Sequence, residues 1–322
     1  MKSVSIIIPA WNEESTLKAT LYALLDIDYD KKKCEVIVVA GGGDGTYEIA
    51  KSLSQAMEPF SRCIVLLQKP AGKNAAIQLG FKEANNAIIV LLDADTIVSK
   101  QWLKNMVDPI EQGRTDLTIA NPEPVRKNWV SDYYMITKTY SLDTITTFSG
   151  HSMAFMADIV RKRMDYFFDE DVKVGVDYLL AKRFSEQGKR IMLSKEASVV
   201  THLPSSLKYF ILTELRWLTA FIGIEGVRYR VLASNCTVVA SLIFAIPISR
   251  ILFVFAVLFN ATYLLKRIRI YFIGSKQYGR NSISLFGFIL LSYVNHVVHF
   301  ICFVNHFLGL SRKSYLYQGQ RY

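Results

Sequence analysis

From Val231 to Tyr322 the sequence contains no aspartate or glutamate, yet it holds nine lysines and arginines. The whole chain of 322 residues carries +10, so the part before Val231 is close to neutral. Charge of one sign that brackets apolar runs, with no interleaved polar surface, excludes a plain nucleic-acid binder and points to a lipid bilayer as partner. Cysteine is scarce: Cys34, Cys63, Cys236 and Cys302 form no C-x-x-C, so neither a zinc knuckle nor a disulfide framework is expected, and they read as buried small hydrophobes. With 51% apolar residues the chain is not a disordered one. No basic, apolar leader precedes the run Val4–Ile8, so no secretory signal is read and the first part is expected in the cytosol. The cluster Gly41–Gly45 has neither the G-x-G-x-x-G nor the G-x-x-x-x-G-K-[ST] spacing, which argues against a nicotinamide or P-loop site. It offers close backbone approach and amide donors near a helix start.

What is present after Val231 is long apolar sequence. As one straight helix the stretch Val231–Leu265 would reach about 52 Å, well beyond a hydrocarbon core of roughly 30 Å, so it is read as two spans. The break falls at Pro247–Arg250, where a backbone donor is missing and a guanidinium would be costly at mid-membrane depth. A third run covers Ser282–Leu310, and its Asn295, His296, His299, Asn305 and His306 either line a groove or hydrogen-bond between helices. Spans near 232–249, 251–266 and 283–310 put the basic loop Lys266–Arg280 on the cytoplasmic side, and leave Arg312 and Lys313 on the far side unless the last span is split. The expectation is therefore a multi-pass protein of the cell membrane whose N-terminal part is cytoplasmic.

That part alternates short β-branched runs with helix-length segments: Val4–Ile8, Glu35–Val39, Ile64–Leu67, Ala87–Leu92 and Leu117–Ala120. The alternation predicts an α/β fold with a doubly wound, mostly parallel sheet, whose ligands bind beyond the carboxyl ends of the strands. There stand Pro9, Ala10, Trp11, Asn12 and Glu13 after the first strand, Gly41–Thr46 after the second, and Asp93-Ala94-Asp95 after the fourth. Two carboxylates two residues apart on an extended chain end point the same way and suit a divalent cation that also takes phosphate oxygens, although a solvated turn uses the same pattern.

Taken together these residues resemble a glycosyltransferase of the GT-A fold, family 2. Ile6–Glu14 is similar to that family's nucleotide-binding first turn, Gly72-Lys73-Asn74-Ala75-Ala76 to its G-K-x-x-A stretch, and Asp93-Ala94-Asp95 to its D-x-D. Phe148-Ser149-Gly150-His151-Ser152 resembles the acceptor segment of cellulose-synthase-like members. Val176-Asp177 lies where those have an E-D base, and Leu215-Arg216-Trp217 where they have Q-x-x-R-W. The sequence departs from the family in lacking that Glu and that Gln, and in keeping only Asp44 of the acidic residues after strand two.

Three parts are expected: a catalytic domain over residues 1–204, an interfacial amphipathic helix over 205–230, and a transmembrane region over 231–322, the resemblance covering about residues 1–230. The resemblance implies Pro9, Ala10, Asn12, Glu13, Asp44, Lys73, Asp93 and Trp217 at the donor, and Ser149, Gly150 and His151 at the acceptor. Mn2+ or Mg2+ would be held by Asp95 and Asp93, with His202 as a further ligand, and Asp177 and Arg216 would be catalytic. Lys73 otherwise forms a salt bridge, Asp177 caps a helix, Arg216 packs beside Trp217, and His202 is a buried hydrogen-bonded imidazole. Leu207–Leu218, and Trp129–Tyr140 as a second case, read as helices lying in the headgroup plane, and Arg228, Arg230 and Lys266 as holding a lipid phosphate. The implied activity is inverting, metal-dependent transfer of a sugar, best mannose from GDP-mannose, to a polyprenyl- or dolichyl-phosphate-linked acceptor. The alternatives are a processive polysaccharide synthase using a UDP-sugar, and a non-catalytic nucleotide-sugar-binding membrane subunit.

Overall fold

The computed structural model describes residues 2–69, 72–142, 150–169, 175–223, 237–239, 241, 250–278, 282–307, 316–317 and 320–321. The chain divides into two compact units, one of residues 1–125 and 145–202, the other of residues 126–144 and 203–322.

The first unit is built on eight strands: β1 (Val4–Trp11), β2 (Cys34–Gly41), β3 (Arg62–Leu67), β4 (Ile88–Leu92), β5 (Ile97–Val98), β6 (Leu117–Pro124), β7 (Ser152–Met156) and β8 (Ile191–Thr201). Their order across the sheet is β3-β2-β1-β4-β7-β6-β8-β5. The half β3-β2-β1-β4 is parallel, as the βαβ alternation requires. The other half is mixed: β7 runs antiparallel to both β4 and β6, β5 antiparallel to β8, and only β6 and β8 are parallel. The expectation of a mostly parallel sheet is thereby corrected to a mixed one. The cause is β7, a short Ser-Met-Ala-Phe-Met run with little β-branching that returns from the far side of the chain to fill the gap beside β4.

Burial on both faces explains why β1, β2 and β4 read as continuous apolar runs with no alternation. On one face Ile6, Ile8, Val36, Val38 and Val90 pack against α1 (Leu17–Leu25) and α4 (Trp102–Glu111) through Leu21, Leu24, Trp102 and Met106. On the other, α3 (Lys73–Glu83) lies so close that a Cβ on Gly80 would stand 2.6 Å from Ile7 Cγ2. At the amino-terminal edge the buried Glu35 accepts from Ser5 Oγ at 2.6 Å and from the Asn85 amide at 2.7 Å, and pairs with Arg62 at 3.3 Å. α2 (Thr46–Leu53), α6 (Ala157–Arg161), α7 (Met164–Phe167) and α8 (Val176–Glu186) complete this unit.

The second unit is helical. α5 (Trp129–Leu142), α9 (Leu207–Gly223) and the helices Arg250–Tyr278 and Leu285–Phe307 bury Tyr133, Ile136, Phe210, Ile270 and Phe288 against one another. Arg267 donates to Ser292 Oγ at 2.8 Å and to Tyr133 Oη at 3.2 Å, and Glu214 pairs with His299 at 3.2 Å. Among the described residues no helix is long and apolar enough to cross a membrane. The span expected at 232–249 falls almost wholly outside the described residues. The one expected at 251–266 lies in the helix Arg250–Tyr278, which runs on through Lys266, Arg267, Arg269 and Lys276; Pro247, Ile248 and Ser249 of the expected break lie outside the described residues. The run expected at 283–310 is helical over Leu285–Phe307.

Candidate active site

The parallel strands end on one edge, and the residues that follow β1 and β2 are knitted together there. Asn12, with φ +57°, donates its amide to Gly41 O at 3.1 Å, while its Oδ1 accepts from the Gly43 amide at 2.7 Å. Gly42 stands at φ +128°, and a Cβ there would lie 2.2 Å from Asn12 Oδ1, so this turn requires glycine. Pro9 lies past the last β1–β4 pair, Ile7 with Leu91, where a missing N–H breaks no rung of that ladder; Ala10 beyond it is buried. Asp44 is consumed by local structure: its carboxylate accepts from the Thr46 amide and hydroxyl and from the Glu14 amide. Partial burial opposes its charge, and these hydrogen bonds outweigh that and hold its pKa below the ordinary value. The Glu13 carboxylate accepts from Thr16 Oγ1 at 2.6 Å; burial first, and then repulsion from Asp95 and Asp93, push its pKa up to about 7.

After β4 comes the acidic pair. Leu92 stands opposite Ser152 in the β4–β7 ladder, so the residue before β7 meets the residue after β4, and the Asp93 amide donates to His151 O at 2.9 Å. His151 Nδ1 lies 3.6 Å from Asp93 Oδ2 and 3.4 Å from Thr201 Oγ1. Ligand atoms of Asp93, Asp95 and His151 all fall within 4.8 Å of one another. Two carboxylates and an imidazole form a donor set that fits a divalent cation. His202, expected as a further ligand, is exposed just past β8 and is not in this group, whereas His151, expected at the acceptor, lies in it. Sequence reasoning missed this because β7 was not recognised as a strand.

Lys73, the first residue of α3, reaches Asp93 Oδ1 at 2.5 Å. Burial lowers its pKa, but Asp93, Asp177 and Asp95 together raise it above the ordinary lysine value. Asp93 responds in kind: burial opposes its charge, and Lys73 and His151 overcome this to bring it to about 2. Asp177 lies in the first turn of α8 and accepts from the Gly150 amide at 2.8 Å through Oδ2. A Cβ on Gly150 would stand 2.2 Å from Asp177 Cβ, so the two backbones approach as closely as glycine allows. The Lys73 ammonium thus pairs with Asp93 and feels the charge of Asp95 and of Asp177, about 80 residues further along the chain. Arg216 lies on α9, in the other compact unit. Ser149, Arg228, Arg230 and the Trp217 side chain lie outside the described residues.

Residues 5–165 match the family described as Glycosyl transferase family 2, and residues 88–308 match Glycosyl transferase family group 2. The chain belongs to glycosyl transferase family 2. Among curated relatives of this family 2 chain, the glycosyltransferase AglE of Haloferax volcanii is 36% identical over 121 residues, 37% of this chain and 39% of that protein. An undecaprenyl-phosphate 4-deoxy-4-formamido-L-arabinose transferase of Aeromonas hydrophila is 33% identical over 115 residues, 35% of each chain. The match therefore spans about two fifths or less of these relatives' length. Among solved structures, the mannosyltransferase PcManGT of Pyrobaculum calidifontis, in complex with GDP-Man and Mn2+, superposes with a TM-score of 0.61 at 16% identity, covering 96% of this chain and 88% of that one. That likeness shows the fold, a GT-A-like mixed α/β sheet.

Proposed function

We propose that this family 2 member is an inverting, divalent-metal-dependent glycosyltransferase that moves a sugar, best mannose from GDP-mannose, to a polyprenyl-phosphate-linked acceptor at the cytoplasmic face of the cell membrane. The observation that carries the reading is the gathering of Asp93, Asp95 and His151 at the carboxyl edge of the parallel strands, with Lys73 paired to Asp93 and Asp177 bonded to the Gly150 amide next to His151. The metal-bound GDP-mannose complex of the structural neighbour and the undecaprenyl-phosphate substrate of the relative support the donor and acceptor classes. Membrane contact is supported by the exposed Val254, Val257, Leu258 and Leu265 on the helix Arg250–Tyr278, which also exposes Lys266 and Arg269.

In this mechanism a divalent cation held by Asp93, Asp95 and His151 would neutralise charge on the departing diphosphate. Lys73 adds a fixed positive charge beside the same carboxylates. Asp177, oriented by the Gly150 amide, takes the proton of the acceptor hydroxyl as that oxygen attacks the anomeric carbon from the face opposite the diphosphate, which inverts the configuration. The test is a donor panel assayed with a lipid extract. Transfer of a single sugar to lipid, lost in Asp177→Asn while donor affinity stays within a few-fold, supports the reading. Turnover by that variant removes Asp177 as the base, long radiolabelled products indicate a polymerase, and donor binding without turnover by the intact protein rejects an enzyme.

A further inference from the structure

α3 carries Lys73 into the acidic cluster with its first residue, and two more polar side chains of the same helix are buried away from it. Asn74, 1% exposed, donates through Nδ2 to Asp169 O at 2.5 Å, and Gln78, 6% exposed and one turn further on, donates through Nε2 to Phe168 O at 2.6 Å. A buried amide is costly unless it is hydrogen-bonded, and the backbone carbonyl it serves is equally costly to leave alone. Leucine or methionine would fill the position of Gln78 with apolar atoms, so what the glutamine adds is the bond to Phe168. The segment it holds is tied on its other side to α8: Arg183 pairs with Asp169 at 3.5 Å, and its guanidinium lies over the Tyr166 ring at 4.9 Å. Phe184 of α8 packs against Phe167 at 5.2 Å and against Phe155 at 5.7 Å between ring centroids. Phe155 in turn meets Phe168 at 6.4 Å and Phe81 of α3 at 6.5 Å. Both helices therefore close on Phe167-Phe168-Asp169, one presenting Lys73 and the other Asp177.

We propose that Asn74 and Gln78 are positioning residues that, through the Phe168 and Asp169 carbonyls and Arg183, set α8 and hence Asp177 against the Lys73–Asp93 group. The proposal rests on the reading of Asp177 as the base. Removing either bond leaves Lys73, Asp93, Asp95 and His151 in place, so donor and metal binding persist while the base loses its alignment.

The test uses the full chain with Gln78→Leu and Asn74→Ala made separately, and Glu35→Gln, at the opposite edge of the sheet, as a variant that loses stability alone. In each α3 variant kcat is expected to fall about tenfold or more with the donor KM within about threefold of wild type. Amides 176–180 should exchange hydrogen faster while those of β1 do not. Glu35→Gln should lower the melting temperature without this split. A kcat that falls only in step with donor KM, or wild-type kcat with wild-type exchange at 176–180, overturns the proposal. Should the wild-type protein turn over no donor, faster exchange confined to the first turn of α8 still supports the clamp while the base reading falls, and unchanged exchange overturns the clamp itself.

Discussion

Gly150→Ala probes the proposed base, Asp177, directly, because the added methyl would lie 2.2 Å from Asp177 Cβ and 3.0 Å from its Oδ2. Carbon atoms in contact settle at about 3.5–4.0 Å, so Asp177 or the Gly150 backbone has to give by about 1.3 Å or more. Gly150 is not among the positive-φ residues, so alanine suits its backbone and the effect is steric. A displacement near 1 Å at a reacting group costs about 10²-fold, or about 2.7 kcal/mol in the barrier, and kcat is expected to fall by that amount. Overpacking should also remove about 1–3 kcal/mol of stability, visible as a lower melting temperature. The assay is steady-state release of nucleoside diphosphate with saturating acceptor, made well below the melting point. Since both changes act on one carboxylate, Gly150→Ala combined with Asp177→Asn should be little worse than Asp177→Asn alone. A folded Gly150→Ala protein within about threefold of wild-type kcat would refute the claim that this contact places the base.

Chelation with EDTA is expected to abolish transfer and Mn2+ or Mg2+ to restore it, with Asp95→Asn needing more metal for half-maximal rate; transfer indifferent to EDTA would remove the cation from the scheme. Glu35→Ala should destabilise the first unit by about 3–5 kcal/mol in urea unfolding, because Ser5, the Asn85 amide and Arg62 lose a buried common acceptor; a loss under about 1 kcal/mol contradicts that account. Glu13 has a folded pKa of about 7 against an ordinary 4.5, so its protonated form stabilises the fold fully below pH 4.5, and that contribution is lost as the pH rises through about 7. Metal-free Glu13→Gln should therefore be more stable than wild type at pH 8, by about 1–3 kcal/mol, and equal to it at pH 4. An unchanged difference between these two pH values would show that Glu13 does not titrate in this window.

Sequence alone determined the parallel half of the sheet and the acidic pair that ends it. Strands β1, β2 and β4 are buried on both faces, which demands unbroken apolar runs, and a run that stops at Asp93-Ala94-Asp95 marks the sheet edge without knowledge of any partner. Tertiary structure decided the rest of the site. Ser152–Met156 has no period that distinguishes it, and its pairing with β4 is a choice among distant partners made by the packing of the whole unit. That pairing selects His151 over His202 beside Asp93, and the position of α8 sets Asp177 against Gly150. Local sequence records which face of a segment is apolar; it does not record which remote segment comes to lie beside it, and His151 and Asp177 are each supplied by such a neighbour.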